Sequence, residues 1–256
     1  AGGAVSMLTP PPAIPPGGSL YCFCLMMPEG AEPALLAFQR ERHAGIFDCD
    51  EARVFSSAAV TLAPASQGIP EVSTSVIAVD PHRGVGGEFK TVLNLDVFLV
   101  VWAKVLEEGR YLHHDWTVKA DPDTVFLPSR LRTLLLPYLG AGKMYLNNCK
   151  FGLHGPLEVF SRGAVQAWTA GSARCREHFA RLCSGDCRWG EDMFIDQCLS
   201  KVLQVRREDA FRLLSEEHCD PAPGWRSCTN ASQVAFHPFK QVALYGQCLA
   251  SARATL

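Results

Sequence analysis

The stretch Trp116-Thr117-Val118-Lys119-Ala120-Asp121-Pro122-Asp123-Thr124-Val125 decides how this sequence is read. Trp116 to Ala120 is short, apolar and rich in strand-forming residues, which predicts a β-strand. The strand runs straight into two aspartates separated by one proline. In open α/β sheets ligands bind outside the carboxyl ends of strands, so the position of these acids matters more than the Asp-x-Asp pattern itself. Two residues one apart on extended backbone point to opposite sides, unless a turn re-aims them. Pro122 fixes its own φ and biases Asp121 towards extended geometry. Hard divalent cations take carboxylate oxygens, and such a cation neutralises charge that builds on a departing diphosphate. The pattern predicts Asp123 in direct contact with a metal, with Asp121 reaching it through water or touching a nucleotide ribose. A plain chain reversal competes with this reading, because Asp-Pro-Asp-Thr also suits a turn in which the Asp side chains bond nearby amides.

Outward from this strand the chain alternates between strand and helix signals. Ser19 to Met27 reads as a buried first strand ended by Pro28, and Ala34 to His43 as a helix. Gly45 to Asp50 reads as a second strand ending in acids, with Val54 to Ser56 continuing it, and Ser75 to Val79 as a third. His82 to Gly87 is a Gly-rich turn. Thr91 to Glu108 is a helix apolar on nearly every side, as in a helix buried between layers, and Gly109 stops it. Pro128 opens a helix as a first-turn proline, with Leu131, Leu134 and Leu135 on its apolar face. Phe151 to Phe160 is strand-like, Ser161 caps a helix through Trp168, and Cys175 to Arg188 reads as a loop or a helix with a loop. Asp192 to Val202 is a helix with Ile195, Cys198, Leu199 and Val202 at helical spacing, and the tail from Glu208 mixes helix, loop and short strand signals. Strands alternating with helices imply an α/β fold with a mostly parallel central sheet flanked by helices on both faces. Residues 1–18 are rich in Pro and Gly and read as a linker or stem. Residues 19–256 then form one domain, with an N-terminal half at about 19–127 and a C-terminal half at about 128–256.

The 256 residues carry 24 basic and 26 acidic side chains, a formal charge of -2, which leaves no basic footprint for nucleic acid. The longest apolar stretch, Val97 to Leu106, is interrupted by Lys104 and falls well short of the roughly 20 residues that span a bilayer. The chain begins Ala-Gly-Gly rather than Met, which suggests that a targeting segment has been removed. Eleven cysteines without a Cys-x-x-Cys pair exclude zinc-finger spacing. Cys183 and Cys187 lie near Cys175, and Cys219 near Cys228, in stretches that read as loops. Disulfides in an oxidising compartment explain them; buried free thiols are the alternative. The odd count leaves at least one thiol unpaired within the chain. Asn230-Ala231-Ser232 is an N-glycosylation acceptor pattern, in keeping with secretion.

Four segments carry a resemblance to a known family. Trp116 to Val125 resembles the Trp-x-x-Lys-Ala-Asp-Asp-Asp-Thr-Tyr stretch of the Fringe and core 1 β1,3-galactosyltransferase family. Val159-Phe160-Ser161-Arg162-Gly163-Ala164-Val165 is similar to its strand-to-helix segment. Gly190-Glu191-Asp192-Met193-Phe194-Ile195-Asp196-Gln197-Cys198-Leu199 resembles its Glu/Asp-Asp-Val-x-x-Gly-x-Cys-Leu helix start, and Phe236-His237-Pro238-Phe239 its His-Pro-Phe near the C-terminus. The segments occur in the family's order over roughly Ser19 to Lys240. The resemblance implies a GT-A fold, a UDP-sugar donor, Mn²⁺, an inverting mechanism and a glycan or glycoprotein acceptor. It makes Asp123 the metal carboxylate, His237 the second protein ligand and Asp192 the general base. It also suggests a type II membrane protein of the Golgi lumen, anchored by a segment outside this fragment. Three positions depart from the family: Pro122 replaces a middle acid, Gly155-Pro156-Leu157-Glu158 replaces Gly-Ala-Gly-Tyr beside the acceptor pocket, and Asp196 replaces the helix-start Gly. The altered acceptor segment motivates the alternative of a catalytically inactive relative that serves as a binding or assembly partner.

Each candidate also has a plainer reading. Asp192 and Glu191 sit at a helix start, where the helix dipole favours acids by ~0.3–1 kcal/mol; the functional reading is a general base within reach of an attacking hydroxyl, with Glu191 as substitute. A lone His is usually a surface or hydrogen-bonded group, yet imidazole suits Mn-like ions in mixed nitrogen and oxygen sites, which is the role expected of His237. Asp48 and Asp50 end the expected second strand, where a donor's base or ribose lies in a GT-A fold; loop chemistry is their alternative. Lys119 is a candidate phosphate contact or a structural pair. Trp189 either stacks on an acceptor sugar or belongs to the core, and His113 and His114 read as loop residues rather than metal ligands.

Overall fold

In the computed structural model, residues 18–63, 71–80, 85–86, 91–182 and 189–255 are described. The expected linker at 1–18, the turn at 82–87 and Cys183 and Cys187 fall largely or wholly outside them. A seven-stranded sheet forms the centre: β1 (Leu20–Leu25), β2 (Glu51–Ser56), β3 (Ser75–Val76), β4 (Trp116–Ala120), β5 (Met144–Asn147), β6 (Leu157–Ser161) and β7 (Arg206–Asp209). Their spatial order is β7-β5-β6-β4-β1-β2-β3. β1 pairs in parallel with both β2 and β4, and β2 with β3. β6 runs antiparallel to its neighbours β4 and β5, and β5 is parallel to β7. One strand of seven is therefore reversed, and the expected α/β class with a mostly parallel sheet is the one observed.

Side-chain alternation along each strand supplies two opposite cores. Leu20, Cys22 and Cys24 of β1, Trp116, Val118 and Ala120 of β4, and Leu157 and Val159 of β6 face one core, where Leu36 of α1 (Glu32–Glu41) and Leu131 and Leu135 of α3 (Pro128–Leu135) cover them. Tyr21, Phe23, Tyr145 and Phe160 face the other. They pack on α2 (Leu95–Glu108), α4 (Arg162–Leu182) and α5 (Glu191–Gln197) through Val101, Trp102, Trp168 and Phe194. A third core joins α6 (Val242–Arg253) to Leu35, Val125 and Phe236.

β4 and the opening of α3 at Pro128 lie where the sequence places them. Gly109 ends α2 in the left-handed conformation, at φ 64°, its N–H bonding the Val105 carbonyl. Ser161 caps α4 by accepting the Ala164 amide at 3.2 Å. Other boundaries move. Gly45 to Asp50 is not a strand: Gly45–Asp48 is a 3-10 turn, and the strand starts after the acids, at Glu51. Gly45 sits at φ 56°, a left-handed geometry that extended backbone excludes. Thr91–Val92 is a short strand, so α2 starts at Leu95. Phe151 to Pro156 is loop, and only Leu157 onward pairs. The helix after Ser161 runs on to Leu182, and the expected helix Asp192 to Val202 is α5 followed by a π-turn at Cys198–Val202.

Disulfides link Cys22 to Cys49, Cys149 to Cys219, Cys175 to Cys198 and Cys228 to Cys248. The partners are thus not the sequence neighbours: Cys175 lies within α4, and Cys219 and Cys228 pair with distant residues. Among the described residues Cys24 is a buried free thiol. No described helix is long and apolar enough to cross a membrane.

Candidate active site

From β1 the chain proceeds through β2 to β3 on one side, then returns to place β4 on the other. The strand order reverses between β1 and β4, and such a switch point leaves a crevice at the carboxyl ends of the strands. Asp121 follows β4 directly at that crevice. Its amide bonds the Pro156 carbonyl at 3.1 Å, and the Thr124 amide bonds the Asp121 carbonyl at 3.0 Å, so Asp121 to Thr124 is a turn that re-aims both carboxylates. The turn is held from behind: Gln39 of α1 donates its amide to the Pro122 carbonyl at 2.7 Å.

His237 arrives from a separate, three-stranded sheet. There Ala235–His237 lies between Leu214–Glu216, to which it is parallel, and Val125–Phe126, to which it is antiparallel. Val125 follows the acidic turn directly, and the Phe239 amide bonds the Asp123 carbonyl at 2.9 Å. This pairing brings His237 Nε2 to 3.4 Å from Asp123 Oδ1. Ligand atoms of Asp121, Asp123 and His237 all lie within 4.8 Å of one another. Two carboxylates and an imidazole at this spacing fit a divalent cation of the Mg²⁺ or Mn²⁺ kind. Burial raises the Asp121 carboxyl and the Asp123 charge adds to the rise, against Lys119 and His237; a concentration of negative charge of this sort favours a cation. A second cluster, Cys149, His154 and Cys219, is explained by the disulfide it contains.

Behind the turn lies a buried ionic network on the α2 face of the sheet. Lys119 and Glu158 are directly opposite each other on β4 and β6. Lys119 Nζ sits 3.2 Å from Glu158, 3.3 Å from Glu191 and 3.4 Å from Asp121, donates to the Gly155 carbonyl at 2.8 Å, and lies over the Phe98 ring. Burial lowers the Lys119 ammonium's pKa, but Asp121, Glu158 and Glu191 together carry it well above its usual range. Burial and the Glu191 charge push the Glu158 carboxyl far up. The expected phosphate contact by Lys119 is therefore corrected: the group is 1% exposed and fully committed to protein partners. Glu191 is likewise buried, with Oε1 accepting the Trp102 indole at 3.3 Å and its amide bonding Asn94. Glu191 is 2% exposed and held against Lys119, with no path to an acceptor hydroxyl, so its expected place as substitute base does not hold.

Asp192, one residue on, is half-buried. Its Oδ2 accepts the Gly155 amide at 3.0 Å and its Oδ1 the Met193 amide at 2.8 Å. Gly155 thus ties Asp192 to Lys119, and Lys119 ties both to Asp121. Asp48 and Asp50 are not brought to this site. Asp50 accepts the Leu20 amide at 2.7 Å and Arg132 at 3.0 Å, at the amino end of β1. β1 and β4 run in parallel with Leu20 beside Trp116, so five residue steps of strand, roughly 16 Å, separate that end from Asp121. Donor contacts by Asp48 and Asp50 are excluded by this placement; the acids precede β2 instead of ending it. His114 pairs with Glu51 at 3.1 Å, away from the acidic turn, and Trp189 stacks on Phe179 at 4.8 Å between centroids.

Three site-facing residues escape sequence reasoning. Glu32, at the start of α1, accepts the Met27 amide at 2.6 Å; burial, opposed by that amide and reinforced by Asp121 and Asp123, raises its carboxyl to about 7. Gln39 holds the turn. Glu216 lies behind His237. A glutamate at a helix start or in a Glu-Glu-His run carries no local signal that would single it out.

No protein-family model matches the sequence. Among solved structures, the chain is similar to an active-site mutant of LgtC at 13% identity, over 85% of this chain and 86% of that one, with a TM-score of 0.46. It is similar at 11% identity, with the same coverage and TM-score, to the galactosyltransferase LgtC in complex with donor and acceptor sugar analogs. A cytidylyltransferase from Leptospira borgpetersenii matches over 79% of this chain and 77% of that one, at 11% identity and a TM-score of 0.38. At these scores the likenesses carry no argument; the fold class rests on strand order and the two cores.

Proposed function

We propose that this chain is a GT-A-type glycosyltransferase of the Fringe and core 1 kind. In this reading it moves a hexose or N-acetylhexosamine from a UDP-sugar to a hydroxyl of a glycan or glycoprotein, in β1,3-linkage and with inversion. The observation that carries the proposal is the convergence of Asp121, Asp123 and His237 at the switch point, from two separate sheets. Asp121, Asp123 and His237 would hold Mn²⁺, which supplies charge neutralisation at the donor diphosphate. Asp192 accepts the proton of the acceptor hydroxyl as its oxygen attacks the anomeric carbon; the bond from that carbon to the diphosphate oxygen breaks, and UDP leaves. The amides of Gly155 and Met193 hold the Asp192 carboxylate while leaving it lone pairs for that proton. Glu191 and Lys119 set the start of α5 rather than touch substrate.

The disulfides support an enzyme of an oxidising compartment such as the lumen of the secretory pathway. The sequon adds to this: Asn230, Ala231 and Ser232 are exposed. Enzymatic deglycosylation of the secreted chain should shift its mass, and Asn230→Gln should abolish the shift.

The test of function is UDP release from a panel of UDP-sugars with glycan acceptors and Mn²⁺. Asp192→Asn should lower kcat by about 10²–10⁴-fold, the usual worth of a general base, while Mn²⁺-dependent UDP binding persists. An unchanged kcat would remove Asp192 from the role, and no release from any donor by the parent would contradict the proposal.

A further inference from the structure

Glu216 is 3% exposed and stands at the centre of three histidines. Its carboxylate accepts the His218 amide at 2.9 Å and faces His218 Nδ1 at 2.7 Å, His154 Nδ1 at 3.3 Å and His237 Nδ1 at 3.9 Å. Glu216 lies in register with His237 on the neighbouring parallel strand, so both side chains leave the same face of the small sheet. The two ring nitrogens of His237 then face different partners: Nε2 faces Asp123 Oδ1 at 3.4 Å, and Nδ1 is buried and unbonded, aimed at Glu216. A buried donor left unbonded costs free energy, and a carboxylate behind the imidazole of a metal-binding His fixes its tautomer and ring orientation.

We infer that Glu216 is a positioning residue for the cation site: it stands behind the His237 imidazole, facing Nδ1, and thereby holds the ring with Nε2 turned to the metal. The inference rests on the metal-centre reading of Asp121, Asp123 and His237. Glu216 itself touches neither metal nor substrate. His154 and His218, bonded to its other edges, keep the carboxylate from turning away, and the Cys149–Cys219 disulfide anchors the segments that carry them.

The test is Mn²⁺ affinity in the presence of UDP, read from the electron paramagnetic resonance of free Mn²⁺. The full chain is compared as parent, Glu216→Gln, His237→Asn and the double variant, each checked for a cooperative thermal transition. Glu216→Gln should weaken Mn²⁺ binding by about 10- to 100-fold. The same change in the His237→Asn background should have no further effect, because the interaction it removes runs through His237. Parent-like affinity in Glu216→Gln would overturn the inference, as would an equal loss in both backgrounds, which marks a general structural effect. Should Glu216→Gln fail to fold, Glu216→Asp keeps the charge but withdraws it by one methylene. It is expected to weaken binding in the same His237-dependent way, and parent-like affinity there would also refute the role. If the parent binds no Mn²⁺, the metal-centre reading itself fails, a result distinct from a parent that binds and a Glu216 variant that binds equally well.

Discussion

Lys119 shows what burial does to a charged side chain in this protein. Its ammonium is removed from water on the strand that carries the acidic turn, and Glu158, Glu191 and Asp121 surround it. Removing one member of such a network leaves uncompensated buried charge, at a cost of about 3–5 kcal/mol. Lys119→Met is thus expected to lower unfolding stability by that amount in urea titrations; a change below about 1 kcal/mol, the scale of a surface pair, would contradict the account. Glu32 titrates in the opposite regime. Its carboxyl is raised to about 7 in the folded chain, against about 4.3 when unfolded. A raised carboxyl contributes stability below its unfolded value and loses it as pH rises through the folded value. Glu32→Gln, which keeps an acceptor for the Met27 amide, should therefore gain stability over the parent between about pH 4.3 and 7. Urea midpoints at pH 4.5 and pH 8 read this: near equality at the first and a clear advantage at the second. An advantage of the same size at both would refute it.

At the scale of elements, legibility followed local pattern. β4 could be read residue for residue because Trp116, Thr117 and Val118 favour a strand and a Pro-marked turn follows, and α3 because Pro128 announces it. Gly45 to Asp50 misled because Ile46 and Phe47 fit a strand, whereas the left-handed Gly45 folds the segment into a 3-10 turn and carries the acids to the wrong end of the sheet. The small sheet was invisible: its strands at Val125–Phe126, Leu214–Glu216 and Ala235–His237 are two or three residues long, too short for any period, and far apart in sequence. Yet that sheet delivers His237 to Asp123, so only family resemblance, not pattern, singled out the histidine, and nothing singled out Glu216. α1 supports the acidic turn through one buried contact, Gln39 to Pro122. Gln39→Leu removes the donor and strands the carbonyl, which should cost about 1–3 kcal/mol and weaken Mn²⁺ binding. A melting temperature and affinity equal to the parent's would show that the turn holds itself.

Over the whole molecule, two apolar cores sandwich the sheet, a third carries α6, and disulfides cross-link elements within and around these cores. Cys228–Cys248 joins the loop between the last two strands of the small sheet to α6. Replacing both cysteines with serine should cost about 2–4 kcal/mol while leaving Mn²⁺ affinity in place. The arrangement as a whole supports the proposed cation-binding crevice at the junction of two sheets. Thermal stabilisation by UDP, with and without Mn²⁺, on the parent and on Asp123→Ala, addresses it most directly. At ~100 times the dissociation constant, a ligand that binds only the folded chain adds about 2.7 kcal/mol. The account predicts stabilisation of the parent by UDP that requires Mn²⁺ and is lost in Asp123→Ala. A well-folded parent that UDP and Mn²⁺ leave unstabilised, or an Asp123→Ala variant stabilised as much as the parent, would contradict it.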